Sequence, residues 1–223
     1  MQKVKVGVLV SGTGTNLQAL IDGVKRGFLP CEISVVISNK KEAFALKRAE
    51  KEGIPGYFID EKDFREKTDY EKKIVEILKE YRVELVVLAG YLKVLSPYFV
   101  REFHNKIINV HPSLIPSFCG KGFYGRRVHE EVIKYGVKVT GATVHFVDEG
   151  TDTGPIILQK AVPVLDEDTP ESLAERVKKV EHEILPLAVK LFAEKRLVIE
   201  NRRVKITGGL GGDGEKESNN IGI

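Results

Sequence analysis

The sequence predicts an α/β fold: a doubly wound, mostly parallel sheet with antiparallel strands toward its C-terminus. Three observations predict it. Apolar runs of strand length alternate with segments of helical spacing from residue 3 to about 135. The first run ends in a glycine-rich turn, Ser11–Asn16 (SGTGTN), that opens a helix. The late apolar runs Val139–Val147 and Ile156–Val162 are joined by a turn of Gly, Asp and Thr rather than by a helix. Helical connections imply right-handed crossovers and parallel strands, whereas a turn joins antiparallel neighbours.

Taken in order, residues 3–10 (KVKVGVLV) alternate and then run apolar, as a strand entering a buried sheet does. The Ser11–Asn16 turn leads into an amphipathic helix through about Arg26, and a second strand follows at Ile33–Ser38. A helix over about 43–52 is stopped by Gly53, and residues 56–59 form a short strand. Tyr70, Ile74, Ile77, Leu78 and Tyr81 have helical spacing, and Leu85–Ala89 is the next strand. Ser96-Pro97 reads as an N-cap with proline at the first helical position. Lys106–Val110 is a strand ending at His111-Pro112, and residues 113–125, with Pro116 and three glycines, read as a loop. A helix over about Arg126–Tyr135 precedes the late strands. Thr169-Pro170-Glu171 opens the longest helix, which Pro186 is expected to kink or divide, and a hairpin about Asn201 closes the fold.

Composition narrows the function classes. Thirty-five basic and 32 acidic residues are mixed along the chain without a basic stripe, so nucleic acid is not an expected partner. No run reaches the roughly 18 apolar residues of a membrane span. The chain passes from Met1 directly into a strand, leaving no room for a signal peptide, and a cytoplasmic protein is expected. Cys31 and Cys119 make no disulfide framework, and neither they nor His104, His129, His145 and His182 have metal-site spacing. These four histidines read as structural or surface residues.

Two segments carry chemistry. In Ser11–Asn16 the glycines let backbone approach an anion, and helix N–H groups with the Thr15 and Asn16 side chains supply donors. The dinucleotide fingerprint is not met: Leu17 replaces its third glycine, and the second strand ends Ser38-Asn39 with no acid for a ribose. A single phosphate fits better, the alternative being a tight turn that binds nothing. In Asn109-Val110-His111-Pro112, alternate residues Asn109 and His111 share one face at the carboxyl end of a strand, where ligands bind open α/β sheets. An amide beside an imidazole suits acyl transfer, since both can stabilise an oxyanion and the imidazole can carry a proton. Structural capping roles explain the same pair equally well. In the turn Asp148–Pro155, orienting the histidine and a structural Asx-type turn explain Asp152 equally well, while Asp148 and Glu149 suit the Asx-type turn.

Together, Ser11–Asn16, Leu88–Pro97 (LAGYLKVLSP), Asn109–Pro116 (NVHPSLIP) and Gly141–Gln159 (GATVHFVDEGTDTGPIILQ) resemble the folate-dependent formyltransferase family, in order over about residues 3–206. The resemblance implies a Rossmann-like formyltransferase fold and formyl transfer from 10-formyltetrahydrofolate, as co-substrate and without a metal. The phosphate loop and the overall length narrow it to members whose acceptor is the amine of 5′-phosphoribosylglycinamide. It implies Asn109, His111 and Asp152 as catalytic residues, and Gly14, Thr15, Asn16 and Glu181 as contacts of the phosphoribosyl substrate. It implies that Leu92, Lys93, Val94 and Leu95, with Asn109 and the turn of Asp148, Glu149, Gly150, Thr151 and Asp152, hold the folate. Lys67 joins that set. Relatives often carry Arg at Lys67 and Lys106; Lys keeps the charge but not the bidentate fork. The Cys119–Gly125 loop (CGKGFYG) departs from the Pro-Gly version of some relatives.

On this reading residues 1–207 form one domain, with a phosphate-binding half of about 1–103 and a catalytic half of about 104–207. Residues 208–223, polar and glycine-rich, form a flexible tail. The partners are small molecules, with no nucleic acid and no membrane, and the assembly is a monomer or homodimer. The rivals are a formyltetrahydrofolate hydrolase or a methionyl-tRNA formyltransferase, which usually carry an extra domain, a nucleotide-binding redox protein, and a non-catalytic phosphosugar module.

Overall fold

The computed structural model describes residues 3–209. The alternation read from the sequence appears as β1 (Val4–Val10), α1 (Thr15–Lys25), β2 (Cys31–Ser38), α2 (Phe44–Lys51), β3 (Gly56–Phe58), α3 (Lys67–Glu80), β4 (Leu85–Leu88), α4 (Pro97–Glu102) and β5 (Ile107–His111). Then come α5 (Arg126–Tyr135), β6 (Val139–Phe146), β7 (Ile156–Pro163), α6 (Pro170–Ala193), β8 (Leu197–Glu200) and β9 (Arg203–Ile206). One sheet takes them in the order β3-β2-β1-β4-β5-β6-β7-β9-β8. β3, β2, β1, β4 and β5 are mutually parallel, and β6 and β7 pair antiparallel. The expected mostly parallel sheet with antiparallel C-terminal strands is therefore the observed one. From residue 210 onward the reading of a flexible tail lies outside the described residues.

The period of two sorts each strand between two core layers. Val6, Val8 and Val10 of β1 pack toward the layer of α1, α5 and α6, while Leu9 packs toward α3 and α4. Each such fully buried aliphatic side chain stabilises the fold by about 1.5–3 kcal/mol. One expectation is corrected: Pro186 does not divide the last helix, which runs unbroken from Pro170 to Ala193. The proline withholds one N–H from the helix ladder, but its turn is buried on the core layer with Ile184, Leu185, Ala188 and Val189. That packing outweighs the lost bond.

The topology places the ligand crevice. β1 has β2 on one side and β4 on the other, so the chain reverses its direction of strand addition there. The loops after β1 and β4 consequently part at the carboxyl edge of the sheet and open a cleft between them. β5, next to β4, adds its own loop to the same edge. No helix among the described residues is long and apolar enough to cross a membrane.

Candidate active site

The loops after β1, β4 and β5, the 148–155 turn and the facing sides of α5 and α6 enclose a pocket of about 890 Å³. Thr13, Asn16, Lys178 and Glu181 line it at one end, and Leu92, Lys93, Val94, Leu95 and Asp148 at the other. Asn109, His111, His145 and Asp152 stand between.

At the first end, Gly14 is the residue preceding α1 and has φ 71°. A Cβ there would lie 2.6 Å from the Cβ of Ala45, so both the backbone angle and the space demand glycine. α1 begins without a side-chain cap and without an acid in its first turn. Its first N–H groups are thus available to an anion, and the positive end of the helix favours one. Asn16 Nδ2 donates to Glu181 Oε2 at 2.9 Å, tying the turn to α6, while Asn16 Oδ1 has no partner. Burial pushes the Glu181 carboxyl up, against the Asn16 bond and the charge of Lys178, which lower it. Gly14 and Thr15 shape the turn without lining the pocket; Thr13, which the sequence reading did not single out, lines it.

In the middle, Asn109 and His111 do share one face of β5, and antiparallel pairing sets His145 opposite Asn109 and Thr143 opposite His111. His111 is 4 % exposed. Its Nε2 lies 2.9 Å from the Phe118 carbonyl, which can only accept, so Nε2 carries the proton and Nδ1 is the atom free to titrate. Nδ1 stands 3.6 Å from Asp152 Oδ2, close enough for strong charge coupling and too long for a direct hydrogen bond. Burial lowers the His111 pKa, against the raising effects of Asp152 and of the Phe118 carbonyl. In the free protein at neutral pH the ring is therefore mainly uncharged. Burial pushes the Asp152 carboxyl up, but His145, the His111 charge and the Gly120 N–H together hold it below its ordinary value. The Gly120 N–H donates to Asp152 Oδ2 at 2.9 Å.

His145 corrects the sequence reading, which set it aside as structural or surface. It is buried in the site, 3.7 Å from Asp152 Oδ1. Its Nδ1 donates to the Phe146 carbonyl at 2.8 Å, which leaves Nε2 to accept from Asn109 Nδ2 at 3.2 Å. Asn109 is thus oriented by His145 and keeps a second N–H for a ligand. His129 also lines the pocket, buried, with Nδ1 unpartnered. Burial, and then the charges of His111 and Lys178, lower its pKa to about 4. A signal for His145 existed in the sequence: Thr143 and His145 are polar at alternate positions of the otherwise apolar stretch 142–147 (ATVHFV).

Two backbone features hold the middle of the site. Asp152 adopts φ 58°, left-handed for a residue with a Cβ, a conformation costing about 1–3 kcal/mol that the surrounding turn must impose. The turn is doubled back so tightly that a Cβ on Gly154 would lie 1.8 Å from the Phe146 carbonyl oxygen. The loop after β5 is anchored by Thr143, whose Oγ1 donates to Ser113 O at 2.7 Å and accepts from Ile115 N at 3.1 Å. That loop therefore has work the sequence did not reveal: Phe118 fixes the His111 tautomer and Gly120 grips Asp152.

At the other end, Leu92 and Val94 are more than half exposed, presenting apolar surface beside backbone polar groups. Ser11 Oγ accepts from the Leu92 N–H at 2.8 Å and donates to Asn39 Oδ1 at 2.7 Å, joining the turn after β1 to this loop. Lys67 Nζ donates to the Val94 carbonyl at 2.7 Å, and Lys93 pairs with Glu61. Lys67 supports the loop from outside the lining, and Lys106 is exposed away from it. Asp148 accepts from the Gly150 N–H at 3.1 Å, the Asx turn expected of it, and Gly150 and Thr151 line the pocket. Glu149 instead meets Arg101 at 3.2 Å, outside the lining. Among the described residues no group of three or more His, Cys, Asp or Glu could hold a metal ion.

This geometry has counterparts in known proteins. The family model described as formyl transferase matches residues 4–189. The chain is 41 % identical to the phosphoribosylglycinamide formyltransferase of Haemophilus influenzae, over 92 % of this chain and 94 % of that one. It is 48 % identical to the trifunctional purine biosynthetic protein adenosine-3 of Gallus gallus over 86 % of its own length, and spans 18 % of that longer protein. The crystal structure of glycinamide ribonucleotide transformylase 1 from Symbiobacterium toebii superposes with a TM-score of 0.88 at 46 % identity, covering 92 % of this chain and 94 % of that one.

Proposed function

The chain belongs to the formyl transferase family, and from that premise we propose that it transfers a formyl group from 10-formyltetrahydrofolate to the amine of 5′-phosphoribosylglycinamide. The products are the N-formylglycinamide ribonucleotide and tetrahydrofolate, a step of purine biosynthesis. One observation carries the reading: a single pocket runs from an uncapped helix N-terminus, past an amide, an imidazole and a carboxylate, to a loop of exposed apolar side chains. A phosphosugar and a pterin need those two ends, and acyl transfer needs that middle.

The residues fit the folate as co-substrate: Leu92 and Val94 offer apolar faces at the rim, and the Leu92–Leu95 and Asp148–Asp152 backbones offer polar edges. When bound, it supplies a formyl group on a nitrogen whose lone pair is shared with an aromatic ring, an activated amide. His111, neutral and with Nδ1 unprotonated, accepts a proton from the acceptor's ammonium or attacking amine. Asn109, oriented by His145, donates its remaining N–H to the carbonyl oxygen as negative charge builds on it. The imidazolium formed at His111 lies against Asp152, which stabilises it, and then returns the proton to the departing nitrogen. Asn16 and Glu181, with Gly14 and Thr15 shaping the turn, hold the phosphoribosyl part, and Asp148, Gly150 and Thr151 close on the folate.

The same reading makes residues 1–207 one formyltransferase domain acting in the cytoplasm on small molecules, as a monomer or homodimer, without metal or nucleic acid. The test is an assay of formyl transfer to phosphoribosylglycinamide, run beside formyl release without acceptor. Release that proceeds equally fast without the acceptor would mean a hydrolase and overturn the reading.

A further inference from the structure

The turn after β1 is shaped from α2, and we propose that Arg48 is a positioning residue for the phosphate of the acceptor, acting through the backbone of Gly12–Gly14. The inference rests on the functional reading above. Two successive carbonyls of the turn face α2: Gly12 O accepts from the Ala45 N–H at 3.2 Å, and Thr13 O accepts from Arg48 Nε at 2.9 Å. In a planar trans peptide the carbonyl and the following N–H point in opposite directions. Holding both carbonyls against α2 therefore turns the N–H groups of Thr13 and Gly14 away from it. Neither N–H has a partner among the described residues, and Thr13 lines the pocket. Gly14 O accepts from the Gln18 N–H at 2.9 Å, so the Thr15 N–H also points outward from the start of α1. Three consecutive N–H groups are thereby presented together, the arrangement of an anion-binding nest.

Of the two anchors, the one from Arg48 is the one a side chain can remove. The Thr13 peptide is flanked by Gly12 and Gly14, whose wide backbone freedom leaves it free to rotate once its carbonyl is released. Arg48 is itself fixed at its remaining edges. Its Nη1 donates to Gln18 Oε1 at 2.9 Å, and its guanidinium lies 4.9 Å from the centroid of the Phe44 ring. The planar fork thus spans the turn and the first turn of α1 at once, which a lysine ammonium cannot do.

The experiment compares phosphoribosylglycinamide with its 5′-dephosphorylated nucleoside as acceptors for the wild type, Arg48→Met and Arg48→Lys. In Arg48→Met the KM for the phosphorylated acceptor should rise about 10- to 100-fold, with kcat and the KM for the folate changing by about twofold or less. The KM for the dephosphorylated acceptor should stay unchanged, so the preference for phosphate collapses; a general loss of structure would damage both acceptors alike. Arg48→Lys, which keeps the charge and the stem over Phe44, should lose most of the preference too, and it carries the test alone should Arg48→Met not fold. A full phosphate preference in either folded variant overturns the proposal. A wild type that ignores the phosphate overturns the functional reading and this inference with it.

Discussion

Replacing Asp152 by asparagine isolates the charge at the centre of the site. Asparagine tolerates positive φ better than most residues, so the 58° backbone angle can persist, and its side-chain oxygen can still accept the Gly120 N–H. What is lost is the attraction between Asp152 and an imidazolium 3.6 Å away. At an effective dielectric of about 20, two unit charges at that separation attract by about 4–5 kcal/mol. Half of that, about 2 kcal/mol, already corresponds to roughly 30-fold in rate, and all of it to a few thousand-fold. The expected fall in kcat therefore lies at about 10²–10³, the range typical of a missing oxyanion-hole donor. The pH dependence has a definite sign. His111 must be neutral to accept a proton, so kcat/KM falls as pH drops through its pKa. Burial and the neighbouring His145 lower that pKa while Asp152 raises it, so removing the carboxylate must move the acid limb to lower pH. A kinetic profile from pH 4 to 9, with NMR titration of the His111 ring, measures both. A variant with near-normal kcat and an unmoved acid limb would show that Asp152 does not act on His111.

The middle residues should behave as a unit. His111→Ala and Asn109→Ala should each lower kcat by at least about 100-fold, whereas His111→Ala combined with Asp152→Asn should cost far less than the product of the single losses; strictly multiplicative kinetics would separate the two residues. Ser11→Ala removes the acceptor of the Leu92 N–H and should raise the KM for the folate several-fold with a smaller effect on kcat, which steady-state kinetics in the folate would detect. His129, neutral in the folded protein with a pKa of about 4, binds a proton more readily when unfolded, so its contribution to stability is present above about pH 6.5 and is lost as pH falls toward 4. Urea unfolding at pH 7 and pH 4.5 should show a smaller loss in His129→Gln than in the wild type, by up to about 3 kcal/mol; equal losses would contradict it.

What the sequence made legible follows from period and punctuation. β1, α1, β4 and β5 are visible because strand-length apolar runs and helical spacing are local, and Asn109 and His111 share a face because alternation along a strand needs no partner. His145 was hidden because its place depends on register: only when β6 lies antiparallel to β5 does it come opposite Asn109. The roles of Phe118 and Gly120 were hidden because they act through backbone atoms, which leave no side-chain signature. Pro186 misled for a related reason: its local cost is readable, but the packing of the turn around it is tertiary. Glu149 shows the limit of position alone, since it lies between two lining residues yet turns to a surface partner, while Lys67 meets the lining only through the Val94 carbonyl.

The bond between Asn16 and Glu181 spans 165 positions of the chain. Made as a chain grows from its N-terminus, the phosphate turn exists early, but its companion carboxylate arrives only when α6 has been synthesised and has docked beside α1. A nascent or truncated chain lacking that helix lacks both Glu181 and the α6 side of the core layer that covers β1. If Asn16 and Glu181 hold the acceptor as proposed, its binding reports on the whole domain and should favour the assembled state over any partly folded one.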